Sequence, residues 1–223
     1  MAENDIQRHC ILDTEFALRQ YFAGSPNVYV SADLLVYYRE GDPYKSVAPD
    51  VLVAFDVKNR LRRSYKRWEE GKAPDVVFEF ASAGTWQDDL DWKMGLYQGI
   101  GVREYFLFDP AGEFFQPPFQ GFRLKDGAFS ALPVLIGQKR GEIGLKSERL
   151  GLELWARHNE NELMPYVLRF YDPAGKAWLL TPAETEAARQ AEANARQIAE
   201  ARAQAAEEES ARLKVEMARL KGD

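Results

Sequence analysis

Two apolar runs that open with the same four letters constrain the fold of this chain most. The first, APDVLVAFD, begins at Ala48, and the second, APDVVFEFAS, begins at Ala73. Proline cannot donate to a strand ladder and is confined to strand starts and edges, so both runs predict buried strands that begin after Pro49 and Pro74. Within the second strand, Glu79 occupies a position where a buried strand normally holds an apolar residue.

The segment after the second run predicts how these strands are connected. Apolar residues between Asp88 and Gly99 recur at helical spacing, and the next run, VREYFLFDP, is typical of another buried strand. A strand, a helix and a strand in that order indicate a parallel crossover. With a helix over residues 11–22 and a strand over NVYVSADLLVYY, the sequence predicts an α/β fold with a central mixed β-sheet flanked by helices.

The region from Phe114 to Trp178 has the pattern of short strands and tight turns. One hairpin is predicted over Asp126-Gly127 and another over residues 172–175, because both stretches contain turn-forming residues between apolar runs. We interpret this region as an edge or lid built of hairpins.

The composition changes after Thr181 to Ala, Glu, Arg and Gln. The sequence TPAE predicts a helix start, with Thr181 as N-cap, Pro182 at the first helical position and Glu184 able to reach back to the cap amide. We therefore predict one domain over residues 1–180 and a helical extension of about 40 residues over 181–223. A coiled-coil dimer arm and a solvated helix are both compatible with its few large apolar residues.

Composition excludes several classes of site and partner. The chain has one cysteine, Cys10, and two distant histidines, so it lacks the ligands of a structural zinc site, and any bound metal must be a hard ion held by oxygen. A net charge of −6 argues against a protein that coats nucleic acid by charge alone. The polar N-terminus and the lack of a long apolar run predict a cytoplasmic protein without a membrane segment.

The carboxylates of the two runs differ in their positions along the predicted strands. Side chains alternate across a strand, so Asp75, Val77 and Glu79 share one face, whereas Asp50 lies where the earlier strand opens. A buried ionised carboxylate is costly unless a cation or several donors compensate it. Glu79 therefore needs a partner, either an arginine or lysine that locks the fold or a bound cation.

The predicted crossover helix supplies candidate partners. Asp89, Lys93 and Tyr97 are spaced by four and line one helical face, which would lie back over the strand of Glu79. A surface pair between Asp89 and Lys93 is the simpler alternative. If Lys93 instead lies above Glu79, then Asp50 and Glu79 could hold Mg²⁺ or Mn²⁺ while Lys93 orients a water, a set suited to phosphodiester hydrolysis.

These residues carry a family resemblance. The stretch from VAPDVLVAFDV through APDVVFEFAS, DDLDWKMGLYQ and GVREYFLFDP resembles the restriction-endonuclease-like family within the PD-(D/E)XK nuclease superfamily, over most of residues 1–181. The resemblance implies a nuclease-like fold with Asp50 as first metal ligand and Glu79 as the second acidic residue. Ala81 stands where the superfamily usually has a lysine, and similarity to members with a migrated lysine assigns that role to Lys93.

Other polar residues are candidates for supporting roles. Asp89, Tyr97 and Ser82 could assist the site, although Ser82 could equally satisfy the strand end. The segment between the two carboxylate strands is rich in cations that could contact a nucleic-acid backbone or pair with the neighbouring acidic EEG sequence. These cations are Lys58, Arg60, Arg62, Arg63, Lys66 and Arg67.

Two functional hypotheses follow from the sequence. The first is a Mg²⁺-dependent endonuclease that hydrolyses DNA through Asp50, Glu79 and Lys93. The alternative is a non-catalytic protein with the nuclease fold, which acts in nucleic-acid docking or in assembly, including homodimer formation, through its C-terminal helix. In the second case Glu79 should be paired with protein groups, or should lie too far from Asp50 to share a cation.

Overall fold

The structure, a computed structural model, describes residues 5–137, 139 and 141–221. The helices are α1 (Asp5–Tyr21), α2 (Arg67–Glu70), α3 (Trp86–Asp88), α4 (Met94–Ile100) and α5 (Pro182–Lys221), and a π-helical turn, Asp89–Lys93, joins α3 to α4. The strands are β1 (Val28–Ala32), β2 (Val36–Tyr37), β3 (Ser46–Val47), β4 (Val51–Phe55), β5 (Tyr65–Lys66), β6 (Val76–Phe80), β7 (Glu104–Phe108), β8 (Phe119–Lys125), β9 (Ala128–Ala131), β10 (Val134–Ile136), β11 (Ile143–Ser147), β12 (Leu152–His158), β13 (Tyr166–Asp172) and β14 (Ala177–Trp178).

A six-stranded sheet with the order β1-β4-β6-β7-β8-β9 forms the centre of the fold. Strands β6 and β7 are parallel, and the other neighbouring pairs are antiparallel. All residues of β6 and β7 are buried, as expected for parallel strands that are covered on both faces. The predicted mixed sheet and its parallel crossover are confirmed.

Different layers cover the two faces of the central sheet. On one face, Phe78 belongs to a cluster with Leu18 of α1 and with residues of β12 and β13. On the other face, Val77 belongs to a cluster with Tyr97 of α4. Because side chains alternate across a strand, Glu79 projects to the same face as Val77, which is the face covered by α4.

The hairpin-rich region is more than an edge or lid. Strands β8 and β9 extend the central sheet, and their turn contains Asp126 at φ 50° and Gly127 at φ 82°, as the sequence predicted. Strands β10 to β14 form a separate five-stranded sheet, which contributes Leu154 and Phe170 to the core. The turns were visible in the sequence because their signals are local, whereas the pairing of the strands into a second sheet depends on contacts distant in sequence.

The strand predicted over residues 27–38 is interrupted at Asp33. This residue has φ 47°, which breaks the extended backbone between β1 and β2. Strand β2 then leaves the central sheet and pairs with β3 and β5 in a small three-stranded sheet. The Asp33 amide donates to the Asp50 carbonyl at 3.2 Å, so this break lies beside the start of β4.

The long helix α5 starts as the sequence predicted. The Thr181 amide donates to Glu184 Oε2 at 2.9 Å, and the Glu184 amide donates to Thr181 Oγ1 at 3.2 Å, which is a reciprocal capping box. The chain divides into two compact units between Leu179 and Leu180. In residues 5–137, 139 and 141–221, no helix is both long and apolar enough to span a membrane.

Candidate active site

Asp50 and Glu79 lie opposite each other on adjacent strands of the central sheet. Strands β4 and β6 are antiparallel, with Val51 opposite Phe78. The same register places the preceding residue, Asp50, opposite the following residue, Glu79. The Phe80 amide donates to Asp50 Oδ2 at 2.6 Å, which attaches Asp50 to β6. The two carboxylates therefore form one acidic centre, at the end of the sheet where β4 begins and β6 ends.

Asp50 is held from the other side by Gln7 of α1. The Gln7 amide nitrogen lies 3.4 Å from both carboxylate oxygens of Asp50 and 3.3 Å from the Phe80 carbonyl oxygen. Burial raises the pKa of Asp50 to about 7, against the lowering effects of the Phe80 amide and the Lys93 charge. At neutral pH this carboxyl group is thus partly protonated.

Sequence analysis did not identify Gln7 as a site residue. The sequence did contain a signal for a buried Gln7. The buried face of α1 is formed at helical spacing by Gln7, Ile11, Thr14 and Leu18, and Gln7 is a large polar residue on that face. The pattern identifies a buried amide that needs partners, but only the tertiary structure shows that Asp50 is one of them.

Glu79 is almost fully buried and is bonded through both carboxylate oxygens. Tyr97 donates its hydroxyl to Oε1 at 2.6 Å, and Lys93 donates to Oε2 at 2.8 Å. Burial and then the negative charge of Asp50 raise the pKa of Glu79 well above its ordinary value, and Lys93 acts in the opposite direction. The effect of Asp50 on this pKa reflects the proximity of the two carboxylates.

Lys93 bridges two buried carboxylates. Its ammonium nitrogen lies 2.8 Å from Glu79 Oε2 and 2.8 Å from Asp89 Oδ1, and only 15% of its side chain is exposed. Burial lowers the pKa of Lys93, but the charges of Glu79 and Asp89 outweigh burial and raise it above the ordinary value. Lys93 is therefore an ammonium ion throughout the physiological pH range, so it can donate hydrogen bonds but cannot accept a proton.

The π-helical turn Asp89–Lys93 positions these groups. A π-helical turn inserts extra backbone into a helix and often occurs at functional sites. Tyr105 of β7 donates its hydroxyl to the Asp89 carbonyl at 2.9 Å, which anchors the turn to the sheet. Lys93 at the end of the turn and Tyr97 one turn later in α4 then reach the same carboxylate, Glu79.

The acidic centre has free oxygen capacity for a metal ion. An ionised carboxylate has about four lone-pair positions, of which Glu79 uses two, and Asp50 Oδ1 accepts only the long contact from Gln7. Asp89 pairs with Lys93 through Oδ1, whereas its buried Oδ2 accepts no hydrogen bond from the described residues. In the part of the chain that the structure describes, no three acidic, histidine or cysteine side chains form a ready metal cage, so water or substrate would have to complete the coordination.

A family model described as "Uma2: Putative restriction endonuclease" matches residues 4–146, which is well over half of the chain and includes every residue of the acidic centre. The chain belongs to this family. A crystal structure of a putative nuclease belonging to DUF820, from Anabaena variabilis ATCC 29413, is 12% identical and has a TM-score of 0.46, with 61% of this chain and 74% of that chain covered. No curated protein matches the sequence.

Ala81 distinguishes this Uma2 chain from the usual superfamily pattern of a lysine two residues after the glutamate. Ala81 is buried in the cluster on the α4 face, and its amide donates to the Phe108 carbonyl at 2.8 Å. Since residues 79 and 81 project to the same face, the side chain of a lysine at position 81 would project from the face of the sheet on which the Lys93 ammonium lies.

Ser82 lies at the start of the helical segment and has a local role. Its carbonyl accepts from the amides of Thr85 and Trp86, and its hydroxyl lies 2.8 Å from Thr85 Oγ1. These contacts satisfy backbone and hydroxyl groups at the end of β6. The structure gives Ser82 no hydrogen bond to Asp50 or Glu79.

The basic segment begins at the end of the sheet opposite the acidic centre. The Asn59 amide donates to the Pro26 carbonyl, just before β1, and the register pairs Val28 with Phe55 at that end. Arg60 and Arg62 both pair with Glu70. Arg62 also stacks on the Tyr29 ring at 4.1 Å, so much of this part of the segment is used to hold the fold.

The remaining cations of the segment are more available. Lys66 pairs with the exposed Glu69, whereas the exposed side chains of Lys58, Arg63 and Arg67 form no ion pair with any residue that the structure describes. Three of the six predicted cations are therefore free to meet an external anion.

Proposed function

We propose that this Uma2-family chain is a Mg²⁺-dependent or Mn²⁺-dependent endonuclease that hydrolyses DNA phosphodiester bonds. The observation that carries the proposal is the cluster of two opposed carboxylates, Asp50 and Glu79, with the Lys93 ammonium 2.8 Å from Glu79. The family description supports the reaction class, and DNA is the substrate that such a description implies.

The donor set fits a divalent cation. Asp50 and Glu79 are buried and adjacent; burial raises the pKa of both carboxyl groups, and repulsion by the Asp50 charge raises the pKa of Glu79 further. A divalent cation bound between them would relieve this repulsion, and Mg²⁺ commonly uses one or two carboxylates together with waters and phosphate oxygens. Such an ion supplies charge neutralisation at the phosphate and lowers the pKa of a bound water.

The protein groups around this centre have distinct roles in the proposal. Gln7 and the Phe80 amide orient Asp50, and Tyr97 orients Glu79. Lys93 stays protonated, so its role is to donate to a phosphate oxygen or to hold the attacking water, and a general base must come from elsewhere. The free cations Lys58, Arg63 and Arg67 are candidates for contacts with DNA at a distance from the reacting phosphate.

One observation favours the non-catalytic alternative. Both oxygens of Glu79 accept hydrogen bonds from protein groups, which a purely structural glutamate would also require. Assembly through α5, including a homodimer, belongs to this alternative, and it is compatible with the exposed apolar side chains of that helix, such as Ile198 and Leu213. The two functions differ in whether the protein cleaves nucleic acid at all, in a reaction that needs a cation and Glu79.

The test is cleavage of supercoiled plasmid, linear duplex and single-stranded DNA with Mg²⁺, Mn²⁺ or EDTA. We expect metal-dependent cleavage that Glu79→Gln reduces by at least about a hundredfold, because the substitution removes a charged ligand while preserving shape. Asp91→Asn is the matched control, since Asp91 is an exposed carboxylate on the same π-helical turn. Absence of cleavage by the wild type on all substrates, or full activity of Glu79→Gln, would reject the nuclease proposal.

A further inference from the structure

A polar cavity lies at the opposite end of the central sheet from the acidic centre. It has a volume of about 400 Å³ and lies where β6 and β7 begin, with Asp75 and Glu104 among its lining residues. Four residues of extended chain, from Asp75 to Glu79, span about 13 Å. The cavity is therefore separate from the acidic centre.

Buried Asp75 anchors two cations in this cavity. Lys72 Nζ lies 2.6 Å from Asp75 Oδ2, and an Arg149 guanidinium nitrogen lies 2.6 Å from Oδ1. The Asp75 side chain is 2% exposed, and it also accepts from the Phe55 amide at 2.8 Å. One carboxylate thus balances only one of the two positive charges, and both cations extend from it toward solvent.

Buried Glu104 anchors a third cation, Arg123. The Arg123 Nε donates to Glu104 Oε1 at 2.9 Å, and Glu104 also accepts from the Ser147 hydroxyl and from the Glu148 amide. The Glu148 carboxylate, which is largely exposed, pairs with the same guanidinium at 2.7 Å. These contacts hold the Arg123 fork in one orientation at the cavity wall.

Arg103 differs from the other three cations of the cavity because no buried carboxylate anchors it. Its side chain is exposed and lines the cavity, and it forms no ion pair with any residue that the structure describes. With Arg103, four cations face three carboxylates around the cavity. The excess is positive in a chain whose net charge is −6, so the local charge is opposite in sign to that of the whole molecule.

We propose that this cavity binds a phosphate group. Guanidinium groups held in place by buried carboxylates are preorganised donors for phosphate oxygens, and a lysine adds a point charge. Lys72 and Arg149 would approach the anion from their contacts with Asp75, and Arg103 lines the same cavity beside them, with its amide bonded to the Asp75 carbonyl. The phosphate could belong to a small free ligand or to a nucleic-acid backbone, and the proposal is independent of catalysis at Asp50 and Glu79.

The test is isothermal titration calorimetry on the full chain in EDTA, with sodium phosphate, thymidine 5′-monophosphate and a 20-bp duplex as separate probes. We expect Arg103→Gln to weaken binding about tenfold, which is the effect of losing one charge-assisted hydrogen bond to a phosphate. Arg39→Gln is the matched control, because Arg39 is exposed, lies outside the cavity and forms no ion pair with the described residues. Arg103 is exposed, so its substitution should leave the thermal melting temperature unchanged.

The probes distinguish the sources of the phosphate. If phosphate or the mononucleotide binds and Arg103→Gln weakens that binding, the result supports a small-ligand site. If only the duplex binds and Arg103→Gln weakens that binding, the result supports a site for a nucleic-acid backbone. Binding by no probe, or equal losses in Arg103→Gln and Arg39→Gln, would overturn the proposal. Because the titration is carried out in EDTA, it tests this site separately from the proposed metal-dependent cleavage.

Discussion

Replacing Asp50 by asparagine should stabilise the metal-free protein at alkaline pH while removing any function of the acidic centre. In the folded protein, burial raises the pKa of Asp50 from its ordinary value of 3.8 to about 7. A carboxyl group with a raised folded-state pKa binds its proton more tightly in the folded state than in the unfolded state. Its contribution to stability is therefore fully present below pH 4 and is lost as the pH rises toward 7.

The magnitude follows from the difference in pKa. Each pKa unit corresponds to about 1.4 kcal/mol. Because the unfolded state releases this proton more readily, the free energy of unfolding is lower than for a group that stays neutral by about 4 kcal/mol at pH 8 and about 1.5 kcal/mol at pH 5. Asparagine carries no such cost and can still accept from the Phe80 amide, but its own amide would face the donor group of Gln7 and lose about 1 kcal/mol. We expect Asp50→Asn to be about 3 kcal/mol more stable than the wild type at pH 8 and within about 1 kcal/mol of it at pH 5.

Urea unfolding in EDTA at pH 5 and pH 8 measures this difference directly. Asp91→Asn is the control, because Asp91 is exposed and its substitution should change the free energy of unfolding by less than about 0.5 kcal/mol at either pH. A difference between Asp50→Asn and the wild type that stays constant with pH would refute the reasoning, as would a variant that is less stable at pH 8.

Three further substitutions test other contacts of the structure. Lys93→Met leaves Glu79 and Asp89 buried without their cation, so the free energy of unfolding at pH 8 should fall by roughly 3 kcal/mol. The loss should be smaller at pH 5, where the carboxylates take up protons. An equal loss in urea unfolding at both pH values would contradict this. Tyr97→Phe removes a hydrogen bond of 2.6 Å to Glu79 and should cost about 2 kcal/mol in the same assay, and a cost below about 0.5 kcal/mol would show that the bond is unimportant. Thr181→Ala removes the N-cap of α5 and should destabilise the start of that helix by about 1 kcal/mol, measured as faster hydrogen exchange of its first-turn amides with DNA cleavage unchanged.

The parts of the fold that could be predicted from the sequence rest on short-range signals. Pro49 and Pro74 mark the starts of β4 and β6, Gly101 ends α4 with φ 91°, and the TPAE sequence caps α5. The spacing of Lys93 and Tyr97 was also informative, because residues one turn apart on a helix share a face and this helix packs over the strand of Glu79.

Other features depend on how distant elements pack. The hairpin region was predicted as an edge or lid because its turns are local signals, whereas its strands β10 to β14 pair into a second sheet. The basic segment adjoins the carboxylate strands in sequence, yet Asn59 bonds to Pro26 at the far end of the sheet, because β4 runs antiparallel to β6 and carries the chain away from Asp50. The direction of β4 relative to β6 cannot be read from composition or spacing.

The sequence by itself determined the main strands and helices and which carboxylates lack an evident partner, because periodicity, proline placement and capping act over a few residues. Only the tertiary structure decided that Asp50 and Glu79 stand opposite each other, that Gln7 reaches them from α1, and that Lys72, Arg103, Arg123 and Arg149 converge on one cavity. These positions follow from strand register and from packing between segments up to 74 residues apart, such as those of Asp75 and Arg149, and such contacts leave no local pattern in the chain.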